Sequence, residues 1–152
     1  MRRAVEADRE ALIALIVRAH EDVRARQSGE ILTRIWEDWK KSVVSKVDVS
    51  DVIIAEVAGK AVGFASYKLD DATRIGIVDD NAVLPEYRGR GIGAQLLAQV
   101  LQLLEEAGME FAQVSTGLDE PYAPARRMYE RQGFEPLHRS VTYFKELAQR
   151  AG

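Results

Sequence analysis

The chain has 152 residues, 47% apolar and 30% charged, and carries a net charge of −3; residues 1–152 are therefore expected to form a single globular domain with its own core. The mild acidity gives no reason to expect nucleic acid, and no stretch reaches the roughly 18 apolar residues of a membrane span. There is no cysteine and only two histidines, His20 and His138, so disulfides and a cysteine nucleophile are excluded and no metal site is expected.

The start, Met1-Arg2-Arg3-Ala4-Val5-Glu6, lacks the apolar segment of a signal peptide, which makes a cytoplasmic location the expectation. Arg2 to Val5 reads as a short first strand. Leu12, Leu15, Ile16, Ala19 and Val23 then recur at helical spacing, and Gln27-Ser28-Gly29 breaks the pattern. A second helix is expected over Ile31 to Val44, with Ile35, Trp36, Trp39 and Val43 on one face. Val49 to Val57 reads as a strand, Ala58-Gly59-Lys60 as a hairpin turn, and Ala61 to Leu69 as its partner. Asp70-Asp71 is a further turn. Thr73 to Leu84 is a long strand with a polar insert, Asp79-Asp80-Asn81.

After a glycine-rich turn, Ile92, Leu96, Leu97, Val100, Leu103, Leu104 and Ala107 form a helical stripe that Gly108 stops. Met109 to Ser115 is a strand. Pro124 opens a short helix that carries Ala125, Met128, Tyr129 and Gln132 and ends at Gly133. Phe134 to His138 and Val141 to Phe144 read as two closing strands, which could serve a homodimer. The element order is that of a mixed α/β domain.

The stretch Val83-Leu84-Pro85-Glu86-Tyr87-Arg88-Gly89-Arg90-Gly91-Ile92-Gly93-Ala94 organises the chain. Its glycines let the backbone approach a bulky ligand. The helix that follows leaves its first N–H groups unpaired, and these, with the helix dipole, favour a phosphate. A P-loop is ruled out because no Lys-Ser or Lys-Thr pair follows. The dinucleotide pattern G-x-G-x-x-G/A is met literally by Gly89, Gly91 and Ala94. However, Pro85 to Arg88 separate the loop from its strand, and Val114-Ser115-Thr116 stands where an acidic residue is expected.

Arg88-x-x-Gly91-x-Gly93 after a strand resembles the acyl-coenzyme-A signature of the GNAT superfamily of N-acetyltransferases. A second block, Ala125-Arg126-Arg127-Met128-Tyr129-Glu130-Arg131-Gln132-Gly133-Phe134, is similar to that family's later Tyr-x-x-x-Gly-Phe motif. The resemblance implies a central mixed, largely antiparallel sheet of about seven strands flanked by four helices. It implies acetyl-coenzyme A as donor, with its pyrophosphate on the backbone of Arg88, Gly89, Arg90, Gly91, Ile92, Gly93 and Ala94. Its pantetheine would enter between Ala82–Leu84 and Val114–Thr116 and pair with the backbone of Val83. The Arg88 and Arg90 side chains can add charge. Where the family often has an asparagine on the pantetheine arm, this chain has Tyr122, which could line the acetyl or acceptor pocket instead.

The implied reaction is acetyl transfer to a primary amine on a small molecule or peptide. With no cysteine, direct attack in a ternary complex remains. Tyr129 is the candidate acid for the leaving thiolate and a contact of the cofactor. Asp80 or Asp79 could act as base through water, and strand alternation puts Asp79 and Asn81 on one face with Asp80 on the other. Asn81 would orient substrate or water, and the Val83 N–H is the expected oxyanion donor. Trp36 and Trp39 could wall the acceptor site; His20 and His138 receive no role. A protein N-terminal acetyltransferase and a non-catalytic acyl-coenzyme-A-binding or sensing domain are the alternatives.

Overall fold

The computed structural model describes residues 1–25 and 30–147. Its five-stranded sheet runs β1 (Arg2–Arg3), β2 (Val52–Val57), β3 (Lys60–Asp70), β4 (Ile75–Val83) and β5 (Phe111–Val114) in sequence order. The first four strands are antiparallel neighbours, and β5 joins β4 in parallel. Among the described residues, four α-helices accompany the sheet: α1 (Arg9–Ala25), α2 (Glu30–Lys46), α3 (Ile92–Glu106) and α4 (Ala123–Arg131). Among the described residues, no helix is long and apolar enough to cross a membrane.

The helical stripes bury as their spacing requires. Leu12, Leu15, Ile16 and Ala19 of α1 are buried, as are Leu96, Leu97, Val100 and Leu104 of α3. The side chain of Val23 and the expected break at Gln27-Ser28-Gly29 lie outside the described residues. In α2, Val43 is buried and Trp39 packs against the core, but Ile35 is exposed. The two main helices take opposite faces of β3. A Cβ on Gly63 would meet Leu96 of α3 at 3.1 Å, whereas Phe64 and Ser66 share a cavity with Leu12 and Ile16 of α1. Period-2 alternation along the strand accounts for this division.

The sheet has five strands rather than about seven. Phe134 to His138 and Val141 to Phe144 form no strand. Leu137, Tyr143 and Leu147 are 91%, 88% and 90% exposed. Apolar and β-branched residues suit a strand, but a strand exists only by pairing with a neighbour. Pro136 removes one ladder donor, and among the described residues nothing pairs with the outer edge of β5. The segment is held to α2 by an ion pair, Arg34 Nη1 to Glu146 Oε1 at 2.6 Å.

Candidate active site

The polar insert of β4 is a β-bulge. Ala65 pairs with Asn81 and Tyr67 with Val78, so Asp79 and Asp80 together stand opposite Ser66. An extra residue of this kind kinks the strand and re-aims its side chains. Ser66 stitches the bulge: its hydroxyl accepts from the Asp80 N–H at 3.0 Å and donates to the Asp80 carbonyl at 3.3 Å. Strict alternation therefore fails here. Asp79 and Asp80 line one cavity, while Asn81 turns to Tyr129, its amide donating to the phenol oxygen at 3.1 Å.

The cavity has a volume of about 430 Å³ and lies between α1, α2 and strands β2 to β4. Trp39, Phe64 and Tyr67 supply aromatic wall, and Asp48, Asp51, Asp79 and Asp80 supply carboxylates. Among the described residues, Lys68 is the one basic residue on this wall, and its Nζ lies 3.4 Å from Asp79. A cationic guest is favoured by that balance. Of the two tryptophans, Trp39 lines the cavity, and Trp36 stacks behind it with ring centroids 4.8 Å apart.

On the other side of β4 the sheet opens. β4 and β5 are paired only from Ile75–Phe111 to Val78–Val114, and β4 then runs on to Val83 paired with β3 alone. The Leu84 N–H donates to the Val62 carbonyl at 2.8 Å, which makes Gly63–Val83 a non-hydrogen-bonded pair. The Val83 N–H and C=O consequently point away from β3, into the opening. The carbonyl accepts from Arg88 Nε at 3.1 Å. The N–H is directed at whatever enters.

The glycine loop ends at the start of α3. Gly89 and Gly91 have φ of +77° and +79°, the left-handed region that favours glycine. A Cβ on either would meet nothing within 4 Å, so backbone conformation, and not crowding by the protein, requires glycine there. Gly91 is the N-cap of α3 and brings no side-chain cap. The first intrahelical bond runs from Gln95 N to Gly91 O at 3.0 Å. The N–H groups of Ile92, Gly93 and Ala94 are thus left without an intrahelical acceptor. Three oriented donors at a helix N-terminus, beside open space, suit a phosphate.

The arginines sit differently. Arg88 bonds the Val83 carbonyl and, through Nη2, the Ala19 carbonyl at 3.2 Å. It is a strut joining the loop to the end of β4 and to α1. Arg90 lies over the Tyr87 ring, 5.0 Å from its centroid. An anion at this loop would therefore meet mainly backbone donors. Tyr122 packs its ring on the backbone at Gly117, where an added Cβ would fall 2.6 Å from Tyr122 Cδ2. Arg126 fixes the same loop by donating to the Gly117 and Asp119 carbonyls.

Helix α4 brings Tyr129 under the opening. Met128 Sδ lies 3.3 Å from where a Gly93 Cβ would stand, and Gln132 reaches the Ala94 carbonyl at 3.4 Å, so α4 leans on the first turn of α3. Tyr129 is buried and meets Phe134 edge-on, with centroids 5.9 Å apart. Burial raises the phenol pKa above its ordinary value; the Asn81 hydrogen bond opposes this and the nearby Asp80 charge adds to it. The phenol thus keeps its proton at neutral pH. Because Asn81 already donates to its oxygen, the O–H is left to donate elsewhere.

One residue given no role by the sequence stands beside this group. His20 of α1 places Nε2 3.4 Å from Asp80 Oδ1. Its neighbours Ile16 and Ala19 follow the buried helical stripe, but nothing in the sequence links it to a carboxylate sixty positions away. His138 is exposed. Among the described residues, no group of three or more histidines and carboxylates could hold a metal ion.

Residues 10–134 match the family model described as "Acetyltransferase (GNAT) family". An uncharacterized N-acetyltransferase of Archaeoglobus fulgidus is 33% identical over 90 residues, which cover 56% of this chain and 60% of the relative. An aminoalkylphosphonate N-acetyltransferase of Salmonella typhimurium is 36% identical over 84 residues, 53% of each chain. The chain thus spans little more than half the length of these curated relatives. In fold, it superposes on a PaiA N-acetyltransferase from Thermoplasma acidophilum solved with coenzyme A. There the TM-score is 0.69 at 18% identity, over 88% of this chain and 87% of that one. With the family model covering most of its length, the chain belongs to the acetyltransferase (GNAT) family.

Proposed function

We propose that this protein is an acetyl-coenzyme-A-dependent N-acetyltransferase that acts on a primary amine by direct attack in a ternary complex, its residues 1–152 working as one domain. The observation that carries this reading is the opening beyond Val78 and Val114, with the Val83 N–H facing into it and the unpaired α3 amides at its mouth. When bound, acetyl-coenzyme A supplies an activated acyl group as a thioester. Ile92, Gly93 and Ala94 hold the pyrophosphate through backbone N–H groups. The Val83 N–H stabilises the charge that develops on the acyl oxygen. Asp80 receives the amine from the cavity side, and Tyr129, oriented by Asn81, protonates the departing sulfur.

The acceptor reading follows from the cavity. Its carboxylates attract an ammonium, and a volume of about 430 Å³ is that of a small-molecule site. The Salmonella relative, by its name, also acetylates a small amine. Thiol release should be followed over small mono-, di- and polyamines and over peptides with free N-termini. Turnover is expected with the small amines. Turnover with peptides alone would replace this acceptor class by protein N-termini.

We also propose a homodimer, formed where the exposed Leu137, Val141, Tyr143, Phe144 and Leu147 meet a second copy. Apolar side chains concentrated in one exposed segment are better covered than left in water, and the outer edge of β5, which no described strand pairs, offers a ladder. Sedimentation should give twice the 17.0 kDa chain mass; the monomer mass at micromolar concentration would refute it.

A further inference from the structure

We propose that His20 is the proton acceptor behind Asp80, a positioning and relay residue that lets the acceptor ammonium become a nucleophilic amine. This inference rests on the transferase reading and deepens it.

Three contacts fix the imidazole. Nδ1 lies 2.8 Å from the Ile16 carbonyl, which can only accept, so Nδ1 carries a hydrogen. Nε2 is then the site that gains and loses the proton: it lies 3.4 Å from Asp80 Oδ1, to which it donates when the ring is protonated, and it holds a lone pair when the ring is neutral. The ring also packs on Trp39, with centroids 5.4 Å apart. Trp39 and Asp80 both line the cavity, so His20 lies directly behind its wall. Arg88, the strut of the glycine loop, bonds the carbonyl of the preceding residue, Ala19. The donor loop and the imidazole are therefore tied to the same stretch of α1.

The chemistry explains why a carboxylate alone is not enough. An ordinary aspartate has a pKa of about 3.9, far below that of an amine, whereas a base works best when its pKa lies near the operating pH. An imidazole meets that condition. The charges bearing on His20 are Asp80 from β4 and Arg88 from the loop after it. Across the cavity wall, Asp79 is paired with Lys68. Burial lowers the His20 pKa, but the Asp80 hydrogen bond and charge outweigh it, with the Ile16 contact adding to them and Arg88 opposing; the net shift is upward. In the step itself, an ammonium N–H bond breaks. Asp80 Oδ1 takes the proton and passes it to Nε2, where a new N–H bond forms. Asp80 returns to its ionised state, and the freed nitrogen lone pair attacks the acyl carbon.

The test is His20→Gln, whose amide keeps a hydrogen bond to Asp80 but cannot hold the proton. With an amine that wild type turns over, kcat should fall on the order of 10²-fold while KM changes little. The acidic limb of kcat/KM due to His20 should vanish; the amine's own ionisation contributes equally to both proteins and cancels in the comparison. Wild-type rate with an unchanged acidic limb would overturn the proposal. A second measurement needs no substrate. Imidazole titration by NMR should put His20 above the ordinary histidine value in wild type and lower in Asp80→Asn. A His20 that ignores Asp80→Asn overturns the relay. Absence of turnover by wild type on every amine instead overturns the transferase reading.

Discussion

Replacing Gly91 by glutamate should abolish acetyl-coenzyme-A binding. Two effects act together. Gly91 has a left-handed φ of +79°, which an L side chain adopts at a cost of roughly 1–2 kcal/mol. The larger effect is electrostatic. A Cβ at this position meets no protein atom within 4 Å, so the new carboxylate projects into the open space beside the three α3 amides, where the pyrophosphate would rest. Affinity should fall by at least about 100-fold, close to 3 kcal/mol. Gly91→Ala carries the backbone strain without the charge and should lose much less. Titration calorimetry of the three proteins separates the two contributions. Wild-type affinity in Gly91→Glu would refute the assignment of the loop.

Tyr129→Phe removes the phenol proton of the hydroxyl that Asn81 holds at 3.1 Å. Turnover should drop on the order of 10²-fold, with the KM for acetyl-coenzyme A little changed. Packing is preserved, because the ring stays against Phe134 and only the Asn81 hydrogen bond is lost, worth about 0.5–1.5 kcal/mol of stability. The pH dependence provides a second signature. The phenol pKa is raised by burial, so this acid remains protonated through neutral pH and its loss lowers the rate on the alkaline side, above the ordinary phenol value of about 10. The variant should lack that limb. A Phe variant that turns over like wild type would show that the sulfur leaves without this acid.

The glycine loop and the Tyr129 block were legible in the sequence because their physics is local. Positive φ at Gly89 and Gly91, the uncapped start of α3, and the halt of α4 before Gly133 all follow from neighbouring residues. The β4–β5 opening was legible only through the family resemblance; nothing in Val114-Ser115-Thr116 by itself announces that pairing stops there. The bulge at Asp79–Asp80 was visible as a polar insert, but its consequence was not. Two residues opposite Ser66 turn both carboxylates into one cavity, where strict alternation would have separated Asp79 from Asp80 and grouped it with Asn81. His20 was opaque because its meaning comes from a tertiary contact between α1 and β4. Arg88 was legible as a positive charge near a phosphate seat; its bonds to Val83 and Ala19 depend on where α1 lies. The closing strands failed for a related reason. Their composition suits a sheet, but the neighbour that would make them strands is absent among the described residues.

The central claim is that the opening beside Val83 and the cavity beside Asp80 are two halves of one reaction, with acetyl passing straight from thioester to amine. Initial-velocity kinetics over a matrix of acetyl-coenzyme-A and amine concentrations test it most directly. The expected result is amine-dependent thiol release with intersecting double-reciprocal lines, the pattern of a ternary complex in a chain that has no cysteine to acetylate. Saturable acetyl-coenzyme-A binding without thiol release on any amine would contradict it, and would leave a domain that binds the acyl donor without transferring its acetyl group.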